Sequence, residues 1–118
     1  MKIEGTRFGS ITIGGKIYDH DVLIRLSGEV QKRKKKLSKQ EYGTSHIISE
    51  QEAKFVYESG CTVLIIGTGQ QDNVRLSQKA EMYFQKKGCR VVPEPTPLAL
   101  KRFNESTERK IGLFHVTC

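Results

Sequence analysis

A chain of 118 residues with 36% hydrophobic and 28% charged side chains has the length and balance of one globular domain, which excludes a disordered or fibrous chain. The formal charge of +7 admits acidic partners, whereas the longest apolar run, Val63 to Ile66, is far short of the ~20 residues of a membrane helix. Three cysteines (Cys61, Cys89, Cys118) without a Cys-x-x-Cys spacing, and three scattered histidines, give neither a disulfide framework nor a local metal signature.

The first third reads as β structure. Phe8 to Ile13 and Lys16 to Tyr18 flank Gly14-Gly15, a two-residue connection suited to the positive φ angles of a tight hairpin. Ile11 and Ile13 share one face, Ser10 and Thr12 the other. Val22 to Leu26 is a second apolar run, and Ser27-Gly28 turns the chain into Glu29 to Arg33. From Lys34 to His46 no period is legible, so this stretch reads as a loop carrying basic residues.

The pattern then changes. Ser49-Glu50-Gln51-Glu52 is a capping box, Ala53, Val56 and Tyr57 follow at helical spacing, and Gly60 supplies a stop. Val63-Leu64-Ile65-Ile66 is the unbroken apolar run of a strand covered on both faces. A second helix starts near Ser77, with Ala80, Tyr83 and Phe84 on one stripe and Gly88 at its end. Arg90-Val91-Val92 is a short strand closed by Pro93, and Thr96-Pro97 opens a third helix with Ala99, Leu100 and Phe103 on its apolar side. A last strand covers Ile111 to Val116. Gly60-Cys61-Thr62-Val63 and Gly88-Cys89-Arg90-Val91 echo one another at a helix-to-strand junction. The interval between them suits a βαβ crossover joining adjacent parallel strands.

The fold class that follows is α/β: one compact domain over residues 1–118, with β-rich N-terminal hairpins packed on a mixed, partly parallel sheet flanked by about three helices. The N-terminus, Met1-Lys2-Ile3-Glu4-Gly5, has neither the apolar core of a secretory signal nor the amphipathicity of a transit peptide. A cytoplasmic location without membrane association is the expectation.

Gly67-Thr68-Gly69, directly after the buried strand, is the first candidate site. Ligands of open α/β sheets bind outside the carboxyl ends of the strands, and glycines let backbone amides approach an anion. Asp72 stands where a dinucleotide fingerprint needs its third glycine, and a turn required only by chain geometry is an equal reading. Thr96, at the start of the third helix, is placed to face the same crevice, although ordinary capping explains it too. His46, in a polar loop, and His115, on the last strand, are candidate acid, base or anion donors. No carboxylate at a recognisable spacing orients either. Cys61 and Cys89 read as small buried hydrophobes, and Cys118 as a terminal thiol whose pKa its own carboxylate would raise. Much of the excess charge lies in Lys32-Arg33-Lys34-Lys35-Lys36, with Lys39 beyond. A solvated loop is the plain reading and nucleic-acid binding the alternative, but the interleaved aromatics of a single-strand binder are missing.

Several separated motifs, in order, carry a resemblance. Phe8-Gly9-Ser10-Ile11-Thr12-Ile13-Gly14-Gly15-Lys16-Ile17-Tyr18, Ile65-Ile66-Gly67-Thr68-Gly69, Pro95-Thr96-Pro97-Leu98-Ala99, Phe103-Asn104 and His115-Val116-Thr117-Cys118 resemble a small family of unknown function. That family includes the adipogenesis-associated domain protein and a mitochondrial complex I assembly factor. The resemblance implies a compact α/β fold, no established catalytic residues, and roles with protein partners in assembly or signalling. The basic run lies outside the matched motifs. Together these readings favour a protein-binding or scaffold module, partnered by another protein or by itself, with no metal and no cofactor. A binder or enzyme for a small anionic ligand at Gly67, Thr68, Gly69 and Thr96 is the rival, and nucleic acid at Lys32 to Lys36 a third.

Overall fold

The computed structural model describes residues 2–117, so the reading made of Cys118 lies outside the described residues. Strands β1 (Ile3–Arg7), β2 (Ser10–Ile13) and β3 (Lys16–Tyr18) form an antiparallel three-stranded sheet in that order. Gly14 and Gly15 turn β2 into β3 with φ of +58° and +82°, the positive pair that a two-residue hairpin demands. The pleat sends Ile11 and Ile13 inward beside Ile3, while Ile17, opposite Thr12, stands outward.

Next come β4 (Val22–Ile24), β5 (Val30–Lys32), helix α1 (Lys36–Tyr42), the two-residue β6 (Ile47–Ile48) and helix α2 (Glu50–Val56). They are followed by β7 (Val63–Gly67), β8 (Arg75–Leu76), α3 (Gln78–Lys86), β9 (Arg90–Glu94), α4 (Thr96–Glu105) and β10 (Lys110–Phe114). The second sheet has the order β5-β4-β10-β7-β9. Within it β10, β7 and β9 run parallel, and β4 and β5 complete it as an antiparallel pair. Val63 pairs with Arg90, so the echoed Gly-Cys segments do begin neighbouring parallel strands. A separate parallel ladder joins β6 to β8.

The five-stranded sheet is covered on both sides, which is why β7 is apolar at every position. On one face Leu23, Leu64, Ile66, Ile111 and Leu113 meet Ala53, Val56, Ala80 and Phe84 of α2 and α3. On the other, Val22, Ile24, Val63, Ile65 and Phe114 meet Ala99, Leu100 and Phe103 of α4 and the isoleucines of the N-terminal sheet. Burying a side chain of this size contributes about 2–3 kcal/mol. Asn104 ties α4 to β1 by accepting from the Ile3 amide (2.9 Å) and donating to the Ile3 carbonyl (2.8 Å).

Several local expectations change, among them the last strand, which ends at Phe114 and leaves His115 just beyond it. The stretch from Lys34 to His46 holds a two-turn helix, α1, whose single buried residue, Ser38, leaves no apolar stripe to read. Among the described residues the helix count is therefore four. Pro93 lies within β9 rather than ending it, which an edge strand tolerates because one of its sides has no ladder to donate to. Helix α2 stops at Val56, before Gly60.

Candidate functional site

Strand direction collects the candidate residues. The parallel strands β7, β9 and β10 end at Gly67, Glu94 and Phe114. Val22 pairs with both Phe114 and Lys32, so β4 begins and β5 ends at the same rim. Thr68, Thr96, His115, Asp21 and Arg33, each a residue or two beyond a strand end, are thereby neighbours along one edge of the sheet.

Gly67-Thr68-Gly69 and Thr96 meet directly. The Gly69 amide donates to Thr96 Oγ1 (2.9 Å), and that hydroxyl donates to the His115 carbonyl (2.6 Å). The Thr96 amide donates to the Gly69 carbonyl (3.1 Å) and the Thr68 amide to the Glu94 carbonyl (2.8 Å). The Thr68 hydroxyl donates to the Asp72 carboxylate. Both threonines are buried. Thr96 thus bridges two segments instead of capping its own helix, for Pro95 occupies the cap position. Gly67 has a packing reason as well: a Cβ there would lie 2.8 Å from Phe114 Cδ1 and 2.9 Å from Thr96 Oγ1.

Beside this bridge lies a buried ionic network. Arg33 donates to Glu52 through Nε (2.6 Å) and Nη2 (3.0 Å), to Asp21 through Nη1 (3.0 Å), and to the Ser45 carbonyl (2.7 Å). Asp21 also accepts from His115 Nδ1 (2.7 Å) and from the Val116 amide (3.0 Å). Ser38 Oγ donates to Glu52 (2.5 Å) and accepts from the Ser49 amide (3.0 Å). The side chains of Arg33, Asp21 and Glu52 are each 1% exposed and that of His115 2%. Among the described residues no buried side-chain nitrogen or oxygen lacks a partner.

Electrostatics follow the geometry. Burial pushes the Asp21 pKa up, but the His115 hydrogen bond, the Val116 amide and the His115 and Arg33 charges outweigh it and bring it to about 2. Burial disfavours the Arg33 guanidinium, and the Glu52 and Asp21 carboxylates more than offset that, holding it protonated. The carboxylate of Asp21 can only accept, so Nδ1 of His115 carries the hydrogen of their bond. Nε2 faces Thr117 Oγ1 at 3.2 Å. The His46 ring stands edge-on to that of His115, with centroids 5.4 Å apart. Partial burial, then His115 and Arg33, lower the His46 pKa. His46 and His115, 69 residues apart in sequence, are thus brought together.

The basic run does not behave as one solvated face. Arg33 points inward, Lys34 Nζ sits 4.5 Å from the Phe55 ring centroid, and Lys35 Nζ lies 3.6 Å from Asp21 Oδ2. Lys32 to Lys36 line a surface hollow of about 520 Å³. Sequence reasoning missed Asp21, Glu52 and Ser38. The signal for Arg33 was the strand alternation itself, which sets Gln31 and Arg33 opposite Val30 and Lys32. Glu52 was legible only as a capping partner. Ser49 does accept from the Glu52 amide (3.1 Å), but the Glu52 side chain reaches Arg33 and Ser38 instead of the serine amide.

The outward face of the N-terminal sheet contrasts with this rim. Gly5, Ser10 and Thr12 floor a trough of about 450 Å³ edged by Glu4, Arg7 and Ile17. Ile17 and, at the β1–β2 turn, Phe8 are both 69% exposed. Strand β3 has a neighbour on one side only.

The fold and rim define a single α/β unit in which a mixed five-stranded sheet is closed at one edge by buried ions. The chain belongs to the family described as protein of unknown function (DUF498/DUF598), whose model matches residues 3–114. It is similar to a conserved hypothetical protein of Pyrococcus horikoshii, with 36% identity, all of both chains covered and a TM-score of 0.93. It is also similar to the solved protein MT938, with 30% identity over 99% of this chain and 98% of that one and a TM-score of 0.83. XCC1710 of Xanthomonas campestris shares the fold, with a TM-score of 0.76 at 11% identity over 97% of this chain and 83% of that one. Among the described residues no helix is long and apolar enough to cross a membrane, and no three His, Cys, Asp or Glu side chains are grouped to hold a metal ion.

Proposed function

We propose that this chain is a cytoplasmic protein-binding module of the assembly or scaffold kind. It would dock partners, or a second copy, on the outer face and free edge of its N-terminal sheet. The observation that carries the reading is the trough floored by Gly5, Ser10 and Thr12. Ile17 stands 69% exposed at its edge, Phe8 is equally exposed at the β1–β2 turn of the same sheet, and an open strand edge borders the trough. Open edges template strand addition, and exposed large apolar groups next to small floor residues suit a protein surface. The resemblance to the adipogenesis-associated domain protein and to a complex I assembly factor supports the same kind of role. By contrast, a small anion at Gly67-Thr68-Gly69 and Thr96 would compete with protein acceptors that the Thr68, Gly69 and Thr96 amides already hold.

Sedimentation velocity across a concentration series, with native capture on immobilised protein, tests the proposal. The wild type is expected to self-associate or retain a partner that Ile17→Glu loses. A strictly monomeric protein whose captured set is the same with and without Ile17→Glu would end it. The hollow at Lys32 to Lys36 favours a second reading, an acidic partner such as nucleic acid. It requires binding that weakens steeply with salt and on replacing Lys32, Lys34 and Lys36 by glutamine.

A further inference from the structure

We propose that Cys61 and Cys89 form a dithiol–disulfide pair, which a peroxide closes into an intramolecular bond across the start of the β7–α3–β9 crossover. Their sulfurs lie 3.5 Å apart, both thiols are free, and both belong to the same core cluster beneath α2 and α3. The placement follows from the repeated Gly-Cys motif. Gly60 and Gly88 take φ of +93° and +70° in the turns that launch β7 and β9, and the parallel register, with Val63 opposite Arg90, leaves the two cysteines one step apart at the entrances of neighbouring strands. Rotation about the two Cα–Cβ bonds has only to bring the sulfurs ~1.5 Å closer to reach bonding distance.

Polarity suits the chemistry, and a groove approaches the pair from the Cys89 side. Cys89 lines a surface groove of about 270 Å³ with Leu76, Phe84, Gln85 and Pro93, and Cys61 lies just behind it. The hydrogen bond between the sulfurs lowers the pKa of Cys61 and raises that of Cys89, which favours Cys61 as the thiolate. Cys61 attacks one oxygen of hydrogen peroxide, breaking the O–O bond; it becomes a sulfenic acid and the other oxygen leaves as water with the thiol proton. Cys89 then attacks the Cys61 sulfur, forming the S–S bond, and its proton departs with the sulfenyl hydroxyl as a second water. Two electrons leave the sulfurs and reduce one peroxide. The bond encloses the whole crossover, so it restrains the unfolded chain over a long loop.

The test uses the full chain carrying Cys118→Ser, treated folded with a small excess of hydrogen peroxide, then denatured, alkylated and weighed intact. The expected product is a monomer about 2 Da lighter that takes up no alkyl group, yields a linked Cys61–Cys89 peptide, and regains both thiols with dithiothreitol. Its melting temperature should rise by on the order of 10 °C in the oxidised form. Adding Cys61→Ala or Cys89→Ala should abolish the mass loss and leave the remaining sulfur to gain oxygen. Two thiols still open to alkylation, sulfinic acid on one sulfur of the otherwise intact pair, intermolecular dimers, or a linkage formed only in denaturant would overturn the proposal.

Discussion

The ionic rim and the outer face of the N-terminal sheet are opposites in chemistry. The rim concentrates two carboxylates, a guanidinium, an imidazole and two serines, and every one of them is engaged inside the protein. The outer face has a floor of glycine, serine and threonine edged by Glu4, Arg7 and one exposed isoleucine. The titratable groups of the rim are engaged in internal contacts. They act as a latch that joins β4, β5, α1 and α2 to one another and to the distant segment after β10. In the proposed reading it is the plain surface that meets another molecule. A buried ion pair holds register and connectivity more surely than it adds net stability.

The sharpest way to break this contrast is to remove one member of the latch. Arg33→Met leaves the buried Glu52 without its cation and Asp21 with only Lys35 and His115, and a loss of about 3–5 kcal/mol is expected in urea denaturation. A loss below 1 kcal/mol would mean that the carboxylates are hydrated and the rim is an open site. If Arg33→Met does not fold, Ser38→Ala serves instead, since it removes a neutral donor to Glu52 and the acceptor of the Ser49 amide and is expected to cost about 1–3 kcal/mol.

Acid tests the same latch without mutation. The Asp21 pKa falls from 3.8 in the unfolded chain to about 2 in the fold, so the unfolded state binds the proton first. This contribution, about 2 kcal/mol, is complete above pH 3.8 and is lost as pH falls towards 2. Asp21→Asn should flatten stability across that window. His46 has a lowered pKa too, so here again the unfolded state protonates first: stability falls as pH drops below about 6.5, down to the lowered folded value, and His46→Gln should erase that slope.

Much of this architecture was legible in the chain. Gly14-Gly15 announced the hairpin, Val63 to Ile66 a doubly covered strand, and the repeated Gly-Cys motif a pair of parallel neighbours. Each is a local signal that the backbone must obey. The latch was not legible, for a physical reason. A run of five cations reads as solvated, and although strand alternation sets Arg33 opposite Lys32, only tertiary contacts show that the second cation is buried against carboxylates while its neighbours stay near the surface. Glu52 satisfies the spacing of a capping box whichever way its carboxylate points. The shared rim of Gly67-Thr68-Gly69 and Thr96 was foreseeable from strand direction. That a threonine hydroxyl fills the gap between them was not.

Between these regions stands Thr96, whose Oγ1 both accepts from Gly69 and donates to the His115 carbonyl. Thr96→Val keeps the shape and removes both bonds, and a cost of about 1–3 kcal/mol is expected. A ligand-free protein that loses nothing would show that those groups are satisfied by water, reopening the crevice as a binding place.

The smallest effect on stability belongs to the face with the largest expected effect on association. Ile17→Glu and Phe8→Ser alter side chains that bury little surface, so each should move the unfolding free energy by no more than about 0.5 kcal/mol. Charge at position 17 places a carboxylate at the mouth of the trough near Glu4, which repels a second copy as well as any partner strand. Association measured by sedimentation should then fall for both variants while urea curves overlay the wild type. If stability drops by 2 kcal/mol or more instead, the face is a packed surface of the monomer, and its contrast with the rim disappears.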